Sequence, residues 1–168
     1  MASGDSIFTF EPNTNAPPAS NYATFDSRNS HPVLDFDGAA DEEAVFGGTL
    51  VRNYASNGWT VYCWIGFTSA VSGTSRWQLA VERINSLGLD IDSDSFTSFT
   101  SALSFAVSAP ATGGVFTQGS LALTNSEIDG VVVGEKFRLK LRRDADGTSG
   151  VDDITTDAEF LGGEIKET

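Results

Sequence analysis

Alternation of apolar and polar residues with a period of two constrains the fold of this chain more than any other feature. It is clearest in GWTVYCWIGFT, residues 58–68. One side of this run carries Trp59, Val61, Cys63, Ile65 and Phe67, and the other carries Thr60, Tyr62, Trp64 and Thr68. Because side chains of a strand point alternately to its two faces, the run predicts a central strand with one face in the core and aromatic side chains on the other.

Nine further segments alternate in the same way, and helical periodicity is nearly absent. They span residues 6–10, 22–26, 32–36, 42–51, 76–84, 99–107, 114–124, 136–142 and 157–166. The chain therefore predicts an all-β, two-sheet antiparallel β-sandwich of jelly-roll type, with about eight main strands and two short ones. Residues 58–68 and 76–84 are interpreted as an antiparallel hairpin. The glycine pairs 47–48 and 162–163 predict bulges or bends.

The chain length and composition predict one folded domain. It has 168 residues, of which 40% are hydrophobic, and this is enough for a core without disulfides. Residues 1–20 are rich in Ser, Asn, Ala and Pro, and they predict an extended N-terminal arm before a single sandwich domain at residues 21–168. Such an arm packs across its own sandwich or reaches a neighbour.

Charge and hydropathy exclude several classes of function. A formal net charge of -13 and a pI near 4.2 disfavour a nucleic acid as partner. No apolar run is long enough for a membrane helix, so we expect no membrane partner. The N-terminus has neither the basic start nor the apolar segment of a signal peptide, and we expect synthesis in a host cytoplasm.

Few residues offer catalytic chemistry. The only cysteine, Cys63, lies in an apolar face and is interpreted as a buried hydrophobe, and the only histidine is His31. This excludes a zinc site of Cys and His ligands and a Cys/His nucleophile pair. A triad built on His31 or a pair of carboxylates remains open, but no motif supports either, so we expect no enzyme activity and no catalytic residues.

Four cations alternate along one predicted strand, KFRLKLRR. Lys136, Arg138, Lys140 and Arg142 point to the face opposite Phe137, Leu139 and Leu141. Four like charges on one strand need partners of opposite sign. The first interpretation is a cross-strand ladder of ion pairs between these cations and acidic residues of the same chain. The candidate partners are Glu42, Glu43, Glu82, Glu159 and Glu164. The second is an interface, in which these four side chains meet an acidic patch of another subunit.

Aspartate-rich loops suggest one metal, because carboxylate oxygens suit calcium. The first candidate set is Asp144, Asp146, Asp152 and Asp153, which surround two glycines. Residues 35–43 and 90–94 are also acidic, but no loop has the spacing of an EF-hand. The alternative is a solvated turn that is rich in local hydrogen bonds. We expect no other cofactor.

Exposed aromatic residues suggest a second kind of site. Tyr62 and Trp64 on the outer side of the central strand, together with Tyr54, could stack against sugar rings. The alternative is that neighbouring strands or the N-terminal arm cover them.

The segments at 23–54, 74–84, 136–146 and 155–167 resemble small β-sandwich proteins of tailed bacteriophages and prophages, of the capsid-decoration, head-fiber or tail-fiber type. The resemblance implies a non-catalytic virion structural protein at the virion surface. It also implies a homotrimer whose N-terminal arm and basic strand contact particle proteins such as the major capsid protein. The alternative function is a carbohydrate-binding β-sandwich module that binds a host-surface glycan.

Overall fold

The computed structural model describes residues 3–70, 72–100 and 103–168. Val71 of the predicted turn, residues 101–102 of the predicted strand 99–107 and residues 1–2 of the arm lie outside that part. The strands are β1 (Ser6–Phe10), β2 (Thr24–Arg28), β3 (His31–Phe36), β4 (Glu42–Thr49), β5 (Trp59–Phe67), β6 (Thr74–Ile84), β7 (Ser104–Ser108), β8 (Thr117–Leu123), β9 (Lys136–Arg143) and β10 (Ala158–Glu167). A short 3₁₀ turn, η1, spans Pro12–Thr14.

The strands form two antiparallel sheets packed face to face, which confirms the predicted β-sandwich. The larger sheet has the order β2-β3-β10-β5-β8, with β1 also paired to β10. The smaller sheet has the order β4-β9-β6-β7. Every segment predicted as a strand overlaps one, although β2 and β7 begin later than predicted. Within the described residues, no helix has the length and apolar character needed to cross a membrane.

The core lies between the sheets and is built from the alternating faces. All five odd-numbered residues of β5, from Trp59 to Phe67, are fully buried, as the alternation predicts. Leu79 and Val81 of β6 and Leu139 and Leu141 of β9 are fully buried too. Aromatic rings join the layers, since Trp59 lies 4.8 Å from Phe137 and Phe36 lies 4.9 Å from Trp77, measured between ring centroids.

The C-terminal strand β10 lies at the centre of the larger sheet. It pairs with β5 along its whole length, with β3 near its start and with β1 near its end. The register with β5 shifts between Phe160 and Gly162, so the second glycine pair does mark a bulge. The first pair does not, because the register of β4 with β9 runs unbroken through Gly47 and Gly48. A Cβ on Gly48 would lie 2.8 Å from the Phe137 ring, so that position serves packing.

The N-terminal segment packs across its own sandwich, one of the two arrangements that the sequence allows. β1 extends the larger sheet, and Phe10 is fully buried with its ring 4.8 Å from Phe46 and 5.6 Å from Phe160. After η1, the chain reaches the other sheet, where Ala16 N donates to Val45 O at 2.8 Å. Residues 6–16 thus connect the two sheets.

The predicted hairpin of β5 and β6 is wrong. β5 lies in the larger sheet and β6 in the smaller one, so the chain crosses the core between them. The physical reason is burial. Both strands carry a strongly apolar face, and placing them in opposite sheets brings the two faces together.

We predict that Phe10→Ala lowers the free energy of unfolding by about 3–5 kcal/mol, because it leaves a cavity in the aromatic contact between the sheets. Val151→Ala is the control, since Val151 is 65% exposed and its replacement should cost less than about 0.5 kcal/mol. Urea unfolding followed by tryptophan fluorescence measures both. Equal losses would show that β1 is dispensable to the sandwich.

Candidate functional site

Tyr62 and Trp64 lie on the outer face of the larger sheet, both half-buried. Across the neighbouring strands, Tyr62 faces Ser120 and Glu164, and Trp64 faces Gln118. Lys166 Nζ lies 5.6 Å from the centroid of the Tyr62 ring. Neither ring belongs to the core cluster, and both residues are partly exposed on this face.

Tyr54, which the sequence grouped with them, is not part of that surface. It is 6% exposed, its hydroxyl donates to Asn125 Oδ1 at 2.8 Å, and it accepts a hydrogen bond from Gly58 N at 2.8 Å. Burial raises the pKa of the phenol. Tyr54 therefore fixes the loop before β5, and that part of the prediction is wrong.

Two adjoining cavities form a depression beside Trp64, which we call the outer groove. The first has a volume of about 250 Å³ and is lined by Glu11, Trp64, Leu161, Gly162 and Gly163. The second has a volume of about 490 Å³ and is lined by Arg28, Asn29, His31, Val33, Gly114, Phe116 and Leu161. Leu161 lines both, so they lie side by side. The floor is apolar and runs from Trp64 over Leu161 to Phe116 and Val33.

Glycines shape this groove. A Cβ on Gly66 would lie 3.0 Å from the Phe116 ring, so the absence of a side chain lets that ring lie against β5. A Cβ on Gly162 would lie 2.9 Å from Glu11 Oε2, which places the Glu11 carboxylate over the bulge of β10. The bulge and the Glu11 carboxylate thus both border the Trp64 end of the groove.

Arg28 forms a polar edge of the groove. Its guanidinium lies 2.5 Å from Glu159 Oε2, and it donates to Thr68 O at 3.2 Å. Glu159 is 4% exposed and paired in the sheet with Asp35. Arg28 therefore neutralises a carboxylate beneath it and presents little free positive charge to a ligand.

Asp35 carries the clearest electrostatic strain near the groove. Burial is the largest cause that raises its pKa to about 6 from 3.8, and the carboxylates of Glu159, Asp26 and Asp157 raise it further. Arg28 acts in the opposite direction. Within the described residues, the buried Asp35 Oδ1 has no hydrogen-bond partner.

We predict that Asp35→Asn stabilises the protein at pH 8 and has little effect at pH 4. Because the pKa of Asp35 is higher in the folded state than in the unfolded state, folding favours its protonated form. Its contribution to the free energy of unfolding is therefore present below about pH 4 and is lost as the pH rises to about 6. Asparagine has no charge to lose. Urea unfolding of both proteins across this range tests the sign, and a difference that grows toward acid pH would contradict it.

The basic strand β9 is paired within the chain. Three of its four predicted interface residues have acidic partners: Arg138 with Glu82, Lys140 with Glu43 at 2.9 Å, and Arg142 with Asp41 at 3.2 Å. Lys136 is exposed at the start of the strand. The ladder to the chain's own acids is thus present, with Glu43 and Glu82 among its partners. An interface with another subunit stays a prediction.

Two phenylalanines cover this ladder. Phe96 lies 4.6 Å from Arg138 and from Lys140, and Phe99 lies 4.3 Å from Arg142, measured from each cation to the ring centroid. These are distances of cation–π contacts. The segment that follows β6 therefore folds back over β9, a contact that was not predicted from the sequence.

The four predicted calcium ligands do not come together. Asp152 pairs with the buried Arg143 at 3.0 Å, and Asp153 Oδ1 accepts a hydrogen bond from Thr74 N at 2.6 Å. Asp144 and Asp146 instead meet Asp41, with carboxylate oxygens of all three within 4.8 Å of one another. That part of the predicted ligand set is wrong, because the guanidinium of Arg143 already satisfies Asp152.

Existing contacts occupy much of this carboxylate cluster. Burial alone would raise the pKa of Asp144, but hydrogen bonds from Ser149 and Thr148 outweigh it and lower that pKa. Arg142 also approaches Asp144, at 3.8 Å. The cluster has oxygen ligands that suit calcium and a resident cation that competes with it.

Calcium binding therefore stays a prediction, now for Asp41, Asp144 and Asp146. If calcium binds there, saturation about a hundredfold above its dissociation constant adds about 2.7 kcal/mol to stability. Asp146→Asn should remove that gain, whereas Asp153→Asn should keep it. Melting temperatures in calcium and in chelator measure the effect, and equal temperatures for the wild type would exclude the ion.

The two residues weighed for nucleophilic or acid–base chemistry lie apart. Cys63 is fully buried in the core, as predicted, and burial raises the pKa of its thiol. His31 is exposed at the first position of β3 and lines the outer groove. The sequence did not reveal that Arg28, Phe116 and Leu161 lie near His31. The only sequence signals were the position of the aromatic Phe116 near a strand end and that of the apolar Leu161 beside a glycine pair, and Arg28 had none.

No protein-family model matches the chain, and no curated protein does. Solved structures do resemble it. One is the C-terminal CBM6 of LamC, a marine laminarinase from Zobellia galactanivorans, with a TM-score of 0.51 and 13% sequence identity. The match covers 95% of this chain and 98% of the CBM6 chain. The CBM22-2 xylan-binding domain of Paenibacillus barcinonensis Xyn10C has a TM-score of 0.50 at 12% identity, with coverage of 96% and 99%. The tandem CBM22-1-CBM22-2 domain of that enzyme has a TM-score of 0.52 at 10% identity, with coverage of 99% of this chain and 51% of its own.

These likenesses show the fold. The chain has the β-sandwich architecture of carbohydrate-binding modules over nearly its whole length. At 10% to 13% identity they show nothing about individual site residues.

Proposed function

We propose that this protein is a non-catalytic carbohydrate-binding module that holds a glycan chain in the outer groove. One observation carries the proposal: the apolar floor formed by Trp64, Leu161 and Phe116 runs through two adjoining cavities on one open sheet face. Sugar rings have apolar C–H faces that stack on such side chains. The fold it shares with carbohydrate-binding modules supports the same function.

Polar side chains around the floor supply the hydrogen bonds that hydroxyl groups need. Asn29, His31 and Glu11 line the cavities, and Gln118 is exposed on the strand beside Trp64. Such a combination of apolar floor and a few polar groups is typical of ligand sites. An oligosaccharide of several residues, rather than one sugar, fits a groove of two cavities.

Charge favours a neutral glycan. The net charge of -13 repels polyanions such as uronic-acid or sulfated polysaccharides, and the groove's Arg28 is already paired with Glu159. Binding should therefore depend little on salt, since few ions are displaced when a neutral chain binds.

We predict that Trp64→Ala weakens glycan binding roughly thirtyfold, which corresponds to about 2 kcal/mol for a central aromatic anchor. Leu87→Ala is the matched control, because it removes a fully exposed apolar side chain outside the groove. Calorimetry with hexasaccharides of xylan and of laminarin, and retention in gels that contain neutral polysaccharides, measure the effect. Equal binding by both variants at an intact fold would refute the outer groove as the site.

The virion role implied by the resemblance stays a prediction. None of the three structures above is described as a phage protein. The solution mass tests the predicted homotrimer, and a trimer would favour that role over a single binding module. The particle partners and the location on a particle surface stay predictions.

A further inference from the structure

A second cavity with exposed aromatic side chains lies at the edge of the sandwich, away from the outer groove. We call it the rim pocket. It has a volume of about 490 Å³ and lies between residues 12–17, which include Asn13 and Asn15, and residues 22–25, which include Tyr22 and Phe25 and lead into β2. It shares no lining residue with the outer groove, although the neighbours Glu11 and Pro12 line one each.

The aromatic side chains of the rim pocket are uncovered for a structural reason. Tyr22 is 48% exposed and Phe25 is 55% exposed. Phe25 pairs in register with Leu34, so it points to the core side of the sheet. Because β2 is the edge strand, more than half of its ring nevertheless stays in contact with solvent. Large aromatic side chains left in this way mark interaction sites more often than isolated aliphatic ones do.

Backbone hydrogen bonds hold both walls of the rim pocket. On one wall, Asn15 Oδ1 accepts a hydrogen bond from Val45 N at 2.9 Å, which fixes its carboxamide. On the other wall, Ala23 N donates to Glu43 O at 3.0 Å, and Glu43 N donates to Asn21 O at 2.7 Å. Both walls are thus bound to β4, so the cavity is formed before any ligand arrives.

The chemistry of the lining identifies the ligand class. The pocket is lined by two prolines, two asparagines, an alanine, a threonine and the two aromatic residues, without a single carboxylate, amine or guanidinium. This neutrality is unusual in a chain with 23 acidic residues. A charged ligand would find no counter-charge there. Aromatic faces beside carboxamides suit instead a neutral sugar, whose C–H face stacks and whose hydroxyl groups bond to the amides.

We propose that the rim pocket is a second glycan-binding site, specific for a neutral sugar and independent of the outer groove. Tyr22 and Phe25 supply the stacking surface, and Asn13 and Asn15 supply hydrogen bonds. The rim site stands on its own contacts, but the further conclusion that the chain binds glycans at two sites rests on the proposed function of the outer groove. Two sites on one chain raise the avidity for a polysaccharide that presents repeated units.

The experiment compares four full-length proteins: wild type, Trp64→Ala, Tyr22→Ala/Phe25→Ala, and the triple variant. The probes are the hexasaccharides of xylan and laminarin together with a panel of neutral oligosaccharides, and calorimetry gives the stoichiometry. We expect two sites in the wild type and one in each site variant. Affinity at the rim should fall by about tenfold or more in Tyr22→Ala/Phe25→Ala.

Two further variants keep the result unambiguous. Asn13→Asp places a charge in the pocket with nearly unchanged shape, and it should weaken rim binding even if the double alanine variant fails to fold. Leu87→Ala should leave both sites intact. Melting curves identify a variant that has lost its fold.

The failures of the two sites are distinguishable. If Trp64→Ala has no effect while Tyr22→Ala/Phe25→Ala abolishes binding, the outer groove is refuted and the rim pocket stands. The rim proposal is overturned if no oligosaccharide binds Trp64→Ala protein, or if that binding is unchanged by Tyr22→Ala and by Asn13→Asp. It is also overturned if light scattering shows a dimer that Phe25→Ala dissociates, because a second copy would then fill the pocket.

Discussion

The rest of the structure depends on the pairing of the C-terminal strand β10 with strands from the first half of the chain. It pairs with β5 throughout and with β1 and β3 on its other side, so three distant segments meet on one strand. Contacts of this kind close long loops and make folding slow. The same strand carries the bulge at Gly162 and the half-buried Leu161, which line the outer groove, so the strand that joins these segments also borders that groove.

Several of the few cations in this acidic protein form ion pairs with its own carboxylates. Carboxylates are used in pairs with the chain's few cations, as in the ladder along β9 and in the contact of Arg143 with Asp152. Arg143 and Asp152 are both almost fully buried, and Arg143 also donates to Thr156 O at 2.8 Å. These pairs fix loops and strand faces at the other sheet and at the sandwich edge. In the outer groove the guanidinium of Arg28 is paired with Glu159, whereas the described lining of the rim pocket consists of aromatic, amide and other uncharged side chains.

Much of the fold could be predicted because it follows from local alternation. The odd and even faces of β5 were assigned residue by residue, and the burial of Cys63 in the core and the position of Trp64 on the outer face, where it is half-buried, followed from them. The predicted hairpin with β6 failed because alternation says which face of a strand is apolar, but not which sheet the strand joins. The grouping of Tyr54 with the exposed aromatics failed because a loop residue has no alternation to reveal its burial.

The sequence by itself determined an all-β sandwich, the faces of its strands, and the presence of aromatic residues on an outer face. Only the tertiary structure decided which residues meet. In that structure Phe116 and Leu161 line the same cavity, and Asp152 pairs with Arg143 instead of joining a metal cluster. Phe25 is exposed at the edge of the larger sheet. The physical reason is that periodicity is encoded within a few residues, whereas a site is formed by contacts between segments whose separation in sequence sets no rule for their distance in space.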